Sequence, residues 1–138
     1  MKFLSFAAIV AILFAACKKS DPAPTTLQRL QAKWTYQKDY YHQNYGGVDY
    51  RDTTYASPGD YSDFRTDGKV YSKYGTSYDT SGYSLLGDTK IITSYTYLGV
   101  PYYDTATIVV LNDTQLQVYS KVFDPAPDYY EYTDFFTK

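Results

Sequence analysis

Reactive side chains are scarce in this sequence, and the scarcity limits the chemistry open to it. There is one cysteine, Cys17, and one histidine, His42. A single thiol has no internal disulfide partner. A tetrahedral zinc site needs several nitrogen or sulfur ligands, which His42, beside the Gly46-Gly47 turn, does not find; it reads as a surface histidine. No serine lies in a nucleophile-elbow pattern that His42 could activate. Carboxylates are plentiful from Asp49 to Asp134, and several fall at turns, where Asp accepts backbone hydrogen bonds. Glycoside hydrolysis needs two of them at a set separation with one pKa raised, and spacing along the chain does not supply that. Asp60, Asp63 and Asp67 lack the glycine and terminal Glu of a calcium loop. No catalytic residue, metal or cofactor is therefore expected, and the chain reads as non-enzymatic. The 19 tyrosines are the remaining resource. Tyr40-Tyr41, Tyr45, Tyr50, Tyr55, Tyr102-Tyr103 and Tyr129-Tyr130 can form a stacking surface for a glycan, a peptide or another envelope protein. Equally, they can pack the fold and screen its edges.

Cys17 acquires meaning from what precedes it. Lys2 gives a positive start, and Phe3 to Ala16 are apolar. That run is shorter than the ~20 residues a permanent membrane helix needs, and with small residues at its end it fits a secretory signal peptide over residues 1–16. Phe14-Ala15-Ala16-Cys17 resembles the lipobox of bacterial lipoproteins. The resemblance implies cleavage before Cys17, a thioether to diacylglycerol on its sulfur, and acylation of the new amino group. One acyl chain anchors marginally, at ~0.8 kcal/mol per buried methylene, whereas several chains anchor durably. Lys18, rather than Asp, follows the cysteine, which by the same resemblance argues against retention at the inner membrane. An outer-membrane lipoprotein of the cell envelope, facing the periplasm or the surface, is the expectation.

Residues 17–26 then form a tether, with Pro22 and Pro24 keeping it extended. Lys18 and Lys19 suit anionic headgroups, and a formal net charge of -2 gives no footprint for nucleic acid. Residues 27–138 are of single-domain length.

Their pattern is β. Thr25 or Thr26 can cap a short helical turn through Leu27 to Ala32. In the stretch from Lys33 to Tyr41, Trp34, Tyr36 and Tyr40 share one face and Thr35, Gln37 and Asp39 the other, with Lys38 out of place on the aromatic side. His42 to Gly47 reads as a turn, and Val48 to Tyr55 as a weak strand at an edge or in a flap. Asp67-Gly68 joins Tyr61–Arg65 to Val70–Tyr74 in the clearest hairpin. Gly75 to Ser81 reads as a loop. A second hairpin turns at Gly87-Asp88 and ends at Gly99-Val100-Pro101. Thr105–Leu111, Gln115–Phe123 and Tyr129–Thr137 complete about eight or nine strands, the pattern of a barrel or a sandwich.

Leu30-Gln31-Ala32-Lys33-Trp34, Phe64-Arg65-Thr66-Asp67-Gly68-Lys69-Val70 and Ile108 to Val118 together resemble the lipocalin-like lipoprotein domains of Bacteroidota. The resemblance implies a small up-and-down antiparallel barrel of about eight strands after a short helical turn; a β-sandwich is the alternative. It further implies a small apolar ligand inside the barrel, against Trp34, Tyr36, Leu116 and Val118. An eight-stranded barrel is only just wide enough to be filled by its own side chains, so whether this one is hollow decides what it can hold.

Overall fold

The structure, a computed structural model, describes residues 22–138. The leader, Cys17 and its expected lipid lie outside the described residues. Among the described residues no helix is long and apolar enough to cross a membrane.

Among the described residues a single short helix, α1 (Thr26–Leu30), precedes the strands. Thr25 caps it: its Oγ1 accepts from the Gln28 amide at 3.2 Å while the Thr25 amide donates to Gln28 Oε1 at 2.8 Å, which satisfies two otherwise orphaned donors. Nine strands follow: β1 (Lys33–Tyr45), β2 (Val48–Tyr55), β3 (Tyr61–Phe64), β4 (Lys69–Tyr74), β5 (Ser77–Leu86), β6 (Lys90–Tyr97), β7 (Val100–Leu111), β8 (Gln115–Phe123) and β9 (Tyr129–Thr137). Every pairing is antiparallel, and β9 pairs back onto β1.

That closure makes a barrel and not a sandwich. The far edge of β1 is divided, its start (Lys33–Thr35) pairing with β3 and its remainder (Lys38–Tyr45) with β2. Eight strands therefore form the ring, and β2 is a flap outside it with one free edge. Asp49, Arg51 and Asp52 on β2 suit that position, because charge discourages edge-to-edge pairing.

The register corrects one reading in β1. Tyr36 lies opposite Phe136 of β9, but the ladder shifts before Lys38, which lies opposite Phe135. One extra residue in a strand reverses the alternation beyond it. Trp34, Tyr36, Asp39 and Tyr41 consequently share the inner side, while Lys38 and Tyr40 turn outward. The anomaly of Lys38 on an aromatic face was the trace of this bulge. Three loop boundaries also move. β1 continues through His42 because β2 and β9 pair with it on both sides, leaving only Gly46-Gly47 as the turn. Ser77 to Ser81 extend β5 by pairing with β4. Pro101 falls inside β7, where a missing amide is tolerated because the ladder to β8 begins only at Thr107.

The core sits at the α1 end. Leu30, Trp34, Phe64, Val70, Ile91, Leu116 and Phe136 are buried there as one cluster. Trp34 is fully covered, its indole N–H donates to the Leu30 carbonyl at 2.9 Å, and the Lys138 ammonium lies 4.5 Å over its ring. This end of the barrel is plugged. The opposite end splays: β5 and β6 part beyond Gly82–Ser94, and β7 and β8 part beyond Tyr119–Thr107, although all four strands run on.

Candidate functional site

Between the plugged end and the splayed end the barrel is hollow. A cavity of about 310 Å³ is lined by Phe64, Val70, Ile91, Leu116 and Phe136 at its base. Above them come the hydroxyls of Ser62, Ser72, Ser81 and Thr93, and then Asp79, Asp104 and Asp134 with Tyr74 and Tyr95. The strand register explains the composition. Ser72 lies opposite Asp79, Thr93 opposite Asp104, and Asp134 opposite both Val118 and Asp39, so each carboxylate stands on an inward position. Among the described residues no lysine, arginine or histidine lines the cavity.

Tyr36 organises one wall. Its ring meets Phe136 at 5.2 Å and Tyr74 edge-on at 5.3 Å, and its hydroxyl donates to Asp39 Oδ1 at 2.8 Å. Asp134 Oδ1 lies 3.5 Å from the same hydroxyl. One O–H serves one acceptor well, and the longer contact is marginal. Asp134 is thus left half-buried with a weak donor and a neighbouring carboxylate. Burial first, and the charge of Asp39 second, push its pKa up to about 6. The Tyr36 hydroxyl is held far above its ordinary range by burial and by its bond to Asp39, so it remains a donor.

A second polar group forms on the outside of the same wall. Glu131 Oε1 accepts from Lys121 at 2.7 Å and from Tyr119 at 2.9 Å, and its Oε2 meets His42 Nδ1 at 2.9 Å. The other ring nitrogen of His42 bonds Asp49, which also pairs with Arg51 at 3.2 Å. Lys121, then His42 and Tyr119, pull the Glu131 pKa down to about 2. Asp49 first, then Glu131, raise that of His42. The histidine faces outward yet its side chain is only 14% exposed, clamped between two acids. Both of its ring nitrogens are taken up by carboxylates, and the group fastens β2, β1, β9 and β8 to one another.

Above the cavity Tyr41 gathers Tyr132 at 5.0 Å, Tyr50 at 6.1 Å and Tyr130 at 6.4 Å on the inner face of the β2-β1-β9 sheet. Across the mouth Tyr95 stacks on Tyr102 at 5.5 Å.

Of the residues expected inside the barrel, Leu116 and Val118 line the cavity. Tyr36 stands in its wall through Phe136 and Tyr74, and Trp34 belongs to the plug beneath. Asp60, Asp63 and Asp67 do not converge. Asp60 is buried, accepting from the amides of Ser57 at 2.9 Å and Gly75 at 2.8 Å; Asp63 pairs with Arg65; Asp67 accepts from the Lys69 amide in its turn. Among the described residues no group of three or more side chains is arranged to hold a metal ion. Asp39 and Asp79 were not visible as site residues in the sequence. For Asp79 a signal existed in the alternation Asp79-Ser81-Tyr83, whereas Asp39 is turned inward by the bulge.

Together these features define a closed antiparallel barrel with a blind, apolar base and an acidic upper wall. No protein-family model and no curated protein matches the chain.

Proposed function

We propose that the protein is a lipid-anchored barrel of the cell envelope that holds a small ligand in its interior and performs no chemistry on it. The observation that carries this reading is the cavity, blind at the plug, apolar at its base and near the lower end of the ~300–1,000 Å³ range of small-molecule sites. The likeness of the sequence to lipocalin-like lipoproteins supports it, as does the lipobox at Cys17. The ligand expected from that likeness is small and apolar; the base suits such a body, while the wall above it favours a polar end. An anchor at Cys17 would reach the plugged end through a tether of at most about 30 Å to Thr25. The open end would then face away from the anchoring leaflet.

Filling the cavity tests the reading. The neutral fluorophore N-phenyl-1-naphthylamine is expected to brighten with the wild-type barrel and not with Ala106→Trp, whose indole occupies the same space. Equal emission from both, with both folded by circular dichroism, would overturn it.

The tyrosines favour a second reading, a docking module for an envelope protein or glycan. Tyr41, Tyr50, Tyr130 and Tyr132 make a partly exposed aromatic group at the mouth. Pull-down from solubilised envelopes with Tyr50→Ser and Tyr132→Ser would lose a partner on this reading, and an unchanged set of captured molecules would remove it.

A further inference from the structure

We propose that the ligand of this cavity is an organic cation, a small apolar body carrying an ammonium group that seats among Asp79, Asp104 and Asp134. The inference rests on the ligand-binding reading and adds the chemical class.

The site is the cavity itself; the carboxylates fix the sign of what it accepts. Its apolar base excludes a fully hydrated ion as the sole occupant, because Phe64, Val70, Ile91, Leu116 and Phe136 offer nothing to a hydration shell. The upper wall is acidic without compensation. Among the described residues every lysine, arginine or histidine that forms an ion pair does so with Asp49, Asp60, Asp63, Asp113 or Glu131, and none with the three cavity aspartates. Asp79, which accepts from the Ser81 hydroxyl at 3.2 Å, and Asp104 stand exposed at the rim, while Asp134 is half-buried below them. A half-buried charge is one that native proteins rarely leave without an opposite partner. The missing positive charge would come from the ligand.

The carboxylates arise from three strands, β5, β7 and β9, around the lumen, and they do not form a metal-ligating group. A metal ion demands several oxygens within one short radius. An ammonium on a flexible or rigid body needs only one or two of them. Tyr74 and Tyr95 in the same wall add π faces, which attract cations further when water is excluded. An anionic ligand of the same size would meet repulsion from the carboxylates of the upper wall. The rise in the Asp134 pKa is consistent with a carboxylate awaiting a counter-charge.

Three probes that share one ring system separate the terms: 1-naphthylmethylamine, 1-naphthalenemethanol and 1-naphthoate, titrated calorimetrically at pH 7.5 and low salt. The amine is expected to bind at least tenfold tighter than the alcohol, with the carboxylate weakest. The preference for the amine should fall about tenfold in Asp104→Asn and in Asp134→Asn, with alcohol affinity unchanged. Asp79→Asn gives an independent third arm should either variant fail to fold. Equal binding of amine and alcohol would overturn the cation while leaving the ligand-binding reading standing. Binding of none of the three up to millimolar concentration would overturn both. An amine preference that survives all three substitutions would overturn the assignment to these carboxylates.

Discussion

Glu131 and Asp134 sit three residues apart on β9, yet the two sides of that strand treat a carboxylate in opposite ways. Outside, Glu131 receives bonds from Lys121, Tyr119 and His42, and its pKa falls to about 2. Inside, Asp134 has a 3.5 Å contact to a hydroxyl committed to Asp39, and its pKa climbs to about 6. The first acid is built to stabilise the fold. The second weakens it. A group whose charge is costly in the folded state is retained for something other than stability, and here it lines the barrel cavity. On the proposed reading the outer wall serves the fold and the inner wall the ligand, divided by the thickness of one strand.

Mutations can break or sharpen that division. The largest effect should come from the plug that supports both sides. Trp34→Ala removes a fully buried indole and its bond to the Leu30 carbonyl, and should cost about 3–5 kcal/mol in denaturant unfolding. A loss under 1 kcal/mol would mean the end is not closed as described.

Next comes Asp134→Asn, expected to stabilise. Displacement of the carboxyl from 3.8 to about 6 corresponds to a penalty of up to about 3 kcal/mol when it is ionised. The sign follows from proton binding. Between these two values the folded state holds the proton more tightly than the unfolded chain. Stability therefore rises as pH falls through that window and declines as pH rises through it. Asp134→Asn should exceed wild type above pH 6, and the advantage should shrink toward pH 4. A flat difference across that range would contradict the assignment.

Glu131→Gln should do the reverse. Its folded pKa of about 2 lies below the ordinary 4.5, so its contribution is complete above about 4.5 and vanishes as pH falls toward 2. At pH 7 the loss should be about 1–2 kcal/mol, since the bonds are charge-assisted but partly exposed. If Asp134→Asn and Glu131→Gln shift stability in the same direction at pH 7.5, the contrast between the walls fails.

The smallest effect is spectroscopic. His42, held by Asp49 and then Glu131, should titrate above its usual 6.5 by NMR, and Glu131→Gln should draw it back down. The stabilisation from its charged form is present below 6.5 and is lost as pH rises through the folded value. A His42 midpoint at or below 6.5 would show that the clamp does not form.

How much of this could be seen in the chain follows the range of the forces involved. The hairpin at Asp67-Gly68 was legible because the turn needs positive φ and Gly68 supplies it at 76°. A capped helical turn was legible for a similarly local reason, though the choice of Thr25 over Thr26 was left to the structure. Trp34, read as an interior residue beside a ligand, lies in the plug beneath the cavity. The inward turn of Asp39 was not, because it depends on an irregular register between β1 and β9 that only the closed ring imposes. The encounter of Asp39 with Asp134 was hidden for the same cause. His42 was read as lying in a turn beside two glycines, but pairing on both of its edges extends the strand and brings acids from β2 and β9 to it.

The most direct test of an inner wall built for a cation is the titration of the Asp134 carboxyl by carbon NMR, without and with saturating 1-naphthylmethylamine. The account predicts a midpoint near 6 in the free protein, shifted downward by at least one pH unit when the amine is bound. A midpoint near 4 in the free protein, or one near 6 that the bound amine leaves unmoved, would contradict it.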